Sequence, residues 1–217
     1  MNEIKNFLFK QLSFLIFKYF STKDKLTVSI TDWGEPCPEV YRLRYRVYSE
    51  LDVIAADHFA DQSFTDKYEP YSSNVKIKHK NKLVGTMRLT HASHVGFPTE
   101  NQFNINPKGY DHKVTIEIGR LVIDKSFRGN KRTVSFAIGL AALRYSRENG
   151  FDHWLCNSSE KLVKAYRKLG VKAYKLSEGK PGKRHLEERD LIKGFYDRYD
   201  IYPYLIKVSA IKPRFLI

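Results

Sequence analysis

At 217 residues and 25.4 kDa the chain has room for one large domain and no second core of ordinary size. Its 42% hydrophobic content excludes disorder over most of its length, and two cysteines, Cys37 and Cys156, exclude a disulfide scaffold and read as reduced thiols of a cytoplasmic protein. A formal charge of +14 calls for an acidic partner, whether nucleic acid, an anionic membrane, a phosphorylated cofactor or an acidic carrier protein, and charge alone does not choose among them.

Residues 4–20 are rich in Phe and Leu with Lys5, Lys10 and Lys18 interspersed, a helix apolar nearly all round. Lys10 interrupts the apolar run and no small-residue cleavage site follows Phe20, so the segment does not read as a secretory signal. Two readings stand, a helix packed on the domain or one that touches a membrane surface. Residues 1–25 are therefore set apart as an N-terminal apolar helix, ahead of a single domain over 26–217. A strand is expected at 26–30, then a turn at Asp32-Trp33-Gly34-Glu35-Pro36. Pro38 suits the first position of a helix. Val40, Leu43, Val47 and Leu51 form its apolar stripe, Arg42, Arg46 and Glu50 face water, and Tyr41, Arg44 and Tyr48 make a third row.

The middle of the chain is β-rich. Val75, Ile77 and His79 alternate with lysines, and Asn81-Lys82 turns the chain into a second strand at 83–90. Residues 91–113 lack periodicity and read as a long loop, of the kind that usually serves a site. A strand over 114–123, a helix over 133–149 and a short buried strand at Trp154-Leu155-Cys156 follow. Asn157 and Glu160 look like a capping box opening another helix, residues 171–176 form a strand, and 204–208 closes the sheet. The fold class is α+β, one mixed sheet with helices.

Four charged segments stand out: Arg44 with Tyr48 on the helix, Asp66 with Glu69, Arg88 inside an apolar strand, and Glu117 with Arg120 on the next strand. A charge within an apolar strand must be paired or face a cleft, because burying it alone costs several kcal/mol, about 3–5 when one partner is missing. Alternation puts Arg120 on the opposite face from Glu117 unless a bulge at Gly119 intervenes. The set is either an ion-pair network that only holds sheet and helix together or the lining of a polar pocket. His58 and Asp61 read as solvent-facing polar side chains rather than metal ligands, and no motif for metal, P-loop or serine chemistry is present.

In order and spacing these segments resemble the autoinducer (acyl-homoserine lactone) synthases and the long-chain N-acyl amino acid synthases, acyltransferases of the GNAT type, over roughly residues 40–176. The resemblance implies a sheet with a V-shaped splay. It implies an ionic cluster of Arg44, Asp66, Glu69, Arg88 and Arg120 beside Tyr48 as acceptor pocket, with Glu117 as the base that deprotonates the attacking amine. Leu121 and Val122 would supply the oxyanion contact, and with Trp154 and Cys156 line the acyl cleft; Arg44 or Arg88 would grip an acceptor carboxylate. A tryptophan expected near the S-adenosylmethionine site of the lactone synthases is replaced by Ile54, which favours a free amino acid as acceptor.

The turn Phe127-Arg128-Gly129-Asn130-Lys131-Arg132-Thr133 has one glycine and three basic side chains, where enzymes using acetyl-CoA are richer in glycine. Arg128, Gly129, Lys131 and Arg132 would accordingly meet the phosphopantetheine arm of an acyl carrier protein, with basic residues of the following helices as its docking surface. No cofactor or metal is expected, since the acyl-phosphopantetheine thioester is itself the substrate. The expected partners are acyl carrier protein and a small amino acid acceptor, with membrane-surface contact through residues 4–20 and no nucleic acid; the expected location is the cytoplasm, peripheral on the inner face of the membrane. The alternatives are a lactone synthase, a lyso-ornithine-lipid-type N-acyltransferase, and a basic nucleic-acid-binding or membrane-surface protein.

Overall fold

The alternating segment of residues 72–90 folds as a hairpin, β2 (Ser72–His79) and β3 (Lys82–Thr90). The computed structural model describes residues 2–103, 105–128, 133–168, 171–178 and 200–211. The hairpin turn is carried by Lys80 and Asn81, with φ of 48° and 68°, one residue earlier than the sequence suggested. Two successive left-handed residues match the twist of the flanking strands.

β1 (Leu26–Ile30) adds antiparallel to β2, and β4 (Thr115–Ile123) antiparallel to β3. β5 (His153–Ser159) runs parallel to β4 after a crossover through helix α4 (Thr133–Glu148). β7 (Ile201–Lys207) pairs antiparallel with β5, and β6 (Ala173–Lys175) pairs with β7. The order is β1-β2-β3-β4-β5-β7-β6, the mixed sheet of an α+β domain.

The parallel pair holds the key geometry. β4 and β5 are matched only at Thr115↔His153, Ile116↔Trp154 and Glu117↔Leu155. Beyond Glu117 each strand continues without the other, so the sheet forks.

Helices α1 (Asn2–Lys23) and α4 cover one face. Their core joins Val75, Ile77, Met87, Leu89 and Ile116 of the sheet to Ala137, Ile138 and Ala141 of α4. Each large aliphatic side chain buried there contributes about 1.5–3 kcal/mol. Gly85 lies where α4 crosses β3; a Cβ there would stand 2.6 Å from Val134 Cγ1. No helix among the described residues is long and apolar enough to cross a membrane.

Helix α2 (Pro38–Glu50) covers the other face, with Val40, Leu43 and Val47 packed on Leu83 and Val122. Leu51, which the spacing puts on the same stripe, is 48% exposed because the helix has ended and Leu51 is its C-cap. The stretch 91–113 is more ordered than a loop. It contains α3 (Pro98–Phe103) and two single 3-10 turns, tied together by Glu100, whose carboxylate accepts from Phe97 N, Tyr110 Oη and His112 Nε2 at 2.6–2.8 Å.

Candidate active site

The apolar stripe of α2 fixes which way the helix is rolled, and the neighbouring row then points Arg44 into the sheet, fully buried. Arg44 Nη1 donates to Glu69 Oε1 at 2.6 Å and Nη2 to Asn74 Oδ1 of β2 at 2.5 Å. Glu69 opens the turn before β2, and the same Oε1 accepts from Arg88 Nη1 of β3 at 2.9 Å. Arg88 Nη1 also donates to Asp66 Oδ1 at 2.5 Å, and Asp66 Oδ2 accepts from Arg120 Nη2 of β4 at 2.8 Å. The five charged residues form one continuous chain of charge-assisted bonds on the α2 face.

Arg120 reaches this face through a bulge. Thr86 faces Val122 while Arg88 faces Gly119, so β4 holds one extra residue against Met87. Arg120 takes φ of 51°, the left-handed position of such a bulge that glycine usually occupies. The bulge anticipated at Gly119 is therefore present with Arg120 as its strained residue. The guanidinium also lies 5.2 Å from the Phe64 ring centroid, and Arg88 lies 5.6 Å from that of Tyr68.

Electrostatics keep Asp66 and Arg88 ionised. Burial alone would raise the Asp66 carboxyl, but the guanidiniums of Arg88 and Arg120 hold it well below the usual carboxylate range. Burial would likewise lower Arg88, and Asp66 and Glu69 outweigh it and raise Arg88 above its ordinary value. Arg44 and Arg88 are enclosed by protein, whereas the Arg120 side chain retains 10% exposure. Arg120 is thus the most accessible guanidinium of the chain, while Arg44 and Arg88, the two expected to grip an acceptor carboxylate, are enclosed. Tyr48 stands apart from the charges, its ring 5.0 Å from Phe64 in an edge contact beside Ile54 and Phe59.

Glu117 sits at the fork, 5% exposed, the last residue of β4 matched to β5. Its Oε2 accepts from the backbone N–H of Thr99 in α3 at 2.9 Å. Thr99 Oγ1 donates to Asn157 Oδ1 of β5 at 3.0 Å, and Asn157 Nδ2 donates to Gln102 Oε1 of α3 at 2.6 Å. Helix α3 thus straps both arms of the fork. Asn157 was expected to cap a helix; it lies instead within β5, and Ser159 Oγ accepts from Leu162 N to open α5 (Glu160–Lys168).

Trp154 and Cys156 were expected to line the acyl cleft. Both alternate away from Leu155 into the core under α4, where Trp154 Nε1 donates to Ser146 Oγ at 2.7 Å. They do not share the face of the ionic chain. Burial, with a smaller push from the Glu117 charge, drives the Cys156 thiol up to about 12, so it stays protonated and unsuited to nucleophilic attack. Leu121, next to the bulge, is 43% exposed, while Val122 is locked against α2.

Of the turn expected to meet phosphopantetheine, Gly129, Lys131 and Arg132 lie outside the described residues. Arg128 is engaged: its Nε donates to Ile123 O at 2.7 Å and its Nη2 stands 3.5 Å from Glu50. Arg147 does not join a basic docking surface either, since it is half buried over the Phe9 ring and bonds Ile211 O. Lys161 and Lys164 of α5 are exposed, and Arg144 is paired with Glu148. Residues 179–199 likewise lie outside the described residues.

Sequence reasoning missed Asn74, Thr99, Gln102 and Asn157. Asn74 alternates with Val75 on β2, a polar residue facing inward, and that was a readable signal. The other three depend on how α3 folds back over the fork.

A family model described as N-acyl amino acid synthase FeeM matches residues 39–181. Comparison with curated proteins gives no match. Among solved structures, the autoinducer (AHL) synthase LasI is similar over 88% of this chain and 94% of its own, with a TM-score of 0.60 and 16% identity. FeeM, an N-acyl amino acid synthase from uncultured soil microbes, is similar over 88% of this chain and 98% of its own, with a TM-score of 0.55 and 13% identity. A CoA-dependent acyl-homoserine lactone synthase, BjaI, crystallised with SAM and isopentyl-CoA, matches over 82% and 77%, with a TM-score of 0.57 and 12% identity.

Proposed function

We propose, from the premise that this chain belongs to the FeeM family of N-acyl amino acid synthases and is an acyltransferase, that it moves a long-chain fatty acyl group from acyl carrier protein to the amino group of a free amino acid. The observation that carries the reading is the fork itself. A buried carboxylate, Glu117, stands where β4 and β5 part, and a chain of arginines and acids lies on the same face two strands wide.

In this reading the thioester lies in the fork and the acceptor lies between Glu117 and Arg120. An amino group is protonated at neutral pH and cannot attack until a base takes a proton. Glu117 accepts it, held in place by the Thr99 N–H. The free amine attacks the thioester carbonyl, the carbon–nitrogen bond forms, and collapse breaks the carbon–sulfur bond. The nitrogen sheds its second proton as the amide forms, that proton neutralises the departing pantetheine thiolate, and the first returns from Glu117 to solvent. Beyond Glu117 the edge of β4 facing β5 has no strand partner among the described residues, which supports a backbone N–H near Leu121 or Val122 as the oxyanion donor. Arg120 receives the acceptor carboxylate. The protonated thiol at Cys156 argues against a covalent acyl-enzyme.

The basic residues of α5 and the net charge of +14 support an acidic carrier as donor, and the enzyme would act in the cytoplasm. The test is to supply the full chain with long-chain acyl carrier protein or the matching acyl-CoA, with all proteinogenic amino acids or with S-adenosylmethionine, and to identify products by mass spectrometry. An N-acyl amino acid formed faster from the carrier is expected. A lactone product, or no acyl transfer from either donor, would overturn the reading.

A further inference from the structure

Helix α1 has two unlike sides. Its inner side packs Phe9, Ser13 and Phe20 against the domain, with Phe20 edge-on to Phe136 of α4 and Arg147 stacked 4.1 Å from the centre of the Phe9 ring. Its outer side leaves Phe14 58%, Leu15 60% and Tyr19 50% exposed, three large side chains within two turns. Lys18 lies among them, and Lys23 reaches back so that its Nζ donates to Tyr19 Oη at 2.6 Å. Where α1 ends, an open cleft of about 270 Å3 begins, floored by Leu26, Phe127 and Val134 and carrying Lys23, Lys25, His79 and Lys80 against one carboxylate, Asp24, among the described residues. Apolar patch and cationic cleft share Lys23 and are therefore one continuous surface.

We infer that this surface docks on an anionic lipid bilayer, with Phe14, Leu15 and Tyr19 set into the boundary between headgroups and acyl chains and Lys18, Lys23, Lys25 and Lys80 on the lipid phosphates. The choice of occupant follows from the combination. A nucleic acid matches the lysines and offers nothing to cover Phe14 and Leu15. A second copy of the chain could cover the patch, but it would set lysine against lysine between two molecules that each carry +14. A bilayer of anionic lipid supplies both an apolar layer and a layer of phosphates, at the depth an amphipathic helix lying in the interface occupies, roughly 5–10 Å. The helix lies on the bilayer and does not cross it, since its lysines interrupt the apolar run. None of these residues belongs to the ionic chain or the fork, so the inference stands independently of the acyl donor and acceptor.

The test is sedimentation of the full chain with vesicles of phosphatidylglycerol and, in parallel, of phosphatidylcholine. Two variants separate the components. In the first, Lys23→Gln is combined with Lys25→Asn and Lys80→Asn; asparagine suits the left-handed backbone at positions 25 and 80, where φ is 52° and 48°. In the second, Phe14→Ser is combined with Leu15→Ser. The wild type should bind phosphatidylglycerol and be released by salt, the lysine variant should lose roughly a hundredfold in affinity at about fivefold per lysine, and the apolar variant also roughly a hundredfold. Circular dichroism and acyl transfer from a soluble donor should be unchanged in both. Equal binding to the two lipids, no binding by the folded wild type, or indifference of both variants would overturn the inference. So would a wild-type dimer that the Phe14/Leu15 variant lacks, or a lysine variant whose only defect is a raised KM for acyl carrier protein.

Discussion

Arg120 combines a backbone cost with an ionic gain, and substitution separates them. Arg120→Ala removes the guanidinium from Asp66 Oδ2 while Arg88 still holds Oδ1. The carboxylate is 3% exposed, so the loss falls at the low end of the range for breaking a buried pair, about 3 kcal/mol. With a urea slope of about 2–3 kcal/mol/M, the midpoint should fall by about 1–1.5 M. Alanine retains the strain at φ of 51°, worth about 1–2 kcal/mol in the left-handed region. Arg120→Gly relieves it but returns about 0.5–1 kcal/mol through the entropy of the unfolded chain. The glycine variant should therefore be more stable than the alanine variant by about 0.5–1 kcal/mol and less stable than wild type. Urea unfolding of the three proteins followed by circular dichroism gives both differences. Both variants should raise the acceptor KM more than they lower kcat, because the carboxylate anchor is lost and Glu117 is not. An alanine variant as stable as the glycine variant, or one that loses under 1 kcal/mol, would refute the account of the bulge.

Glu117→Gln keeps the Thr99 N–H bond and the fold but cannot take a proton, so kcat should fall by about two to four orders of magnitude with little change in melting temperature; near-normal turnover would remove Glu117 as the base. Asp66 is depressed below its ordinary 3.8, so the folded protein binds fewer protons than the unfolded chain as pH drops. Its contribution is therefore present above about pH 4 and lost as pH falls through the lower folded value, a slope in unfolding free energy that Asp66→Asn should abolish. Cys156→Ala should keep most of its turnover, and native Cys156 should resist alkylation at pH 8 until the chain is unfolded, as mass spectrometry of the labelled peptide would show.

Much of the site could be read from the chain because burial forces charges to declare themselves. An arginine in the apolar run of β3 has to find acids, and Asp66 and Glu69 stand at the entrance to the adjoining strand. The apolar row of α2 fixes the roll of the helix, but the place of Arg44 in the cluster came from the resemblance and not from that row. What was hidden depended on departures from regular period. The bulge sits on an arginine, a residue with no preference for positive φ, so only the need for a partner signalled it. Helix α3 is six residues long and held by Glu100 and the contacts to Asn157, with too few turns to show a periodicity. No facing could be read for Trp154 and Cys156, because a fully buried strand carries apolar residues on both sides and the alternation that tells one face from the other is lost.

The fork also makes the sheet a hinged plate. Strands β1 to β4 are successive antiparallel neighbours, and β5, β7 and β6 form a second antiparallel leaf. Three residue pairs at the base of the fork stitch the leaves together, and α3 spans the gap above them through Glu117 on one leaf and Asn157 on the other. Rotating one leaf about that short stitch would change the width of the opening while each leaf keeps its own ladder intact. Substitutions on the strap, which also carries the Thr99 N–H that holds Glu117, or at the stitch would therefore be expected to alter the opening and the placement of Glu117 together.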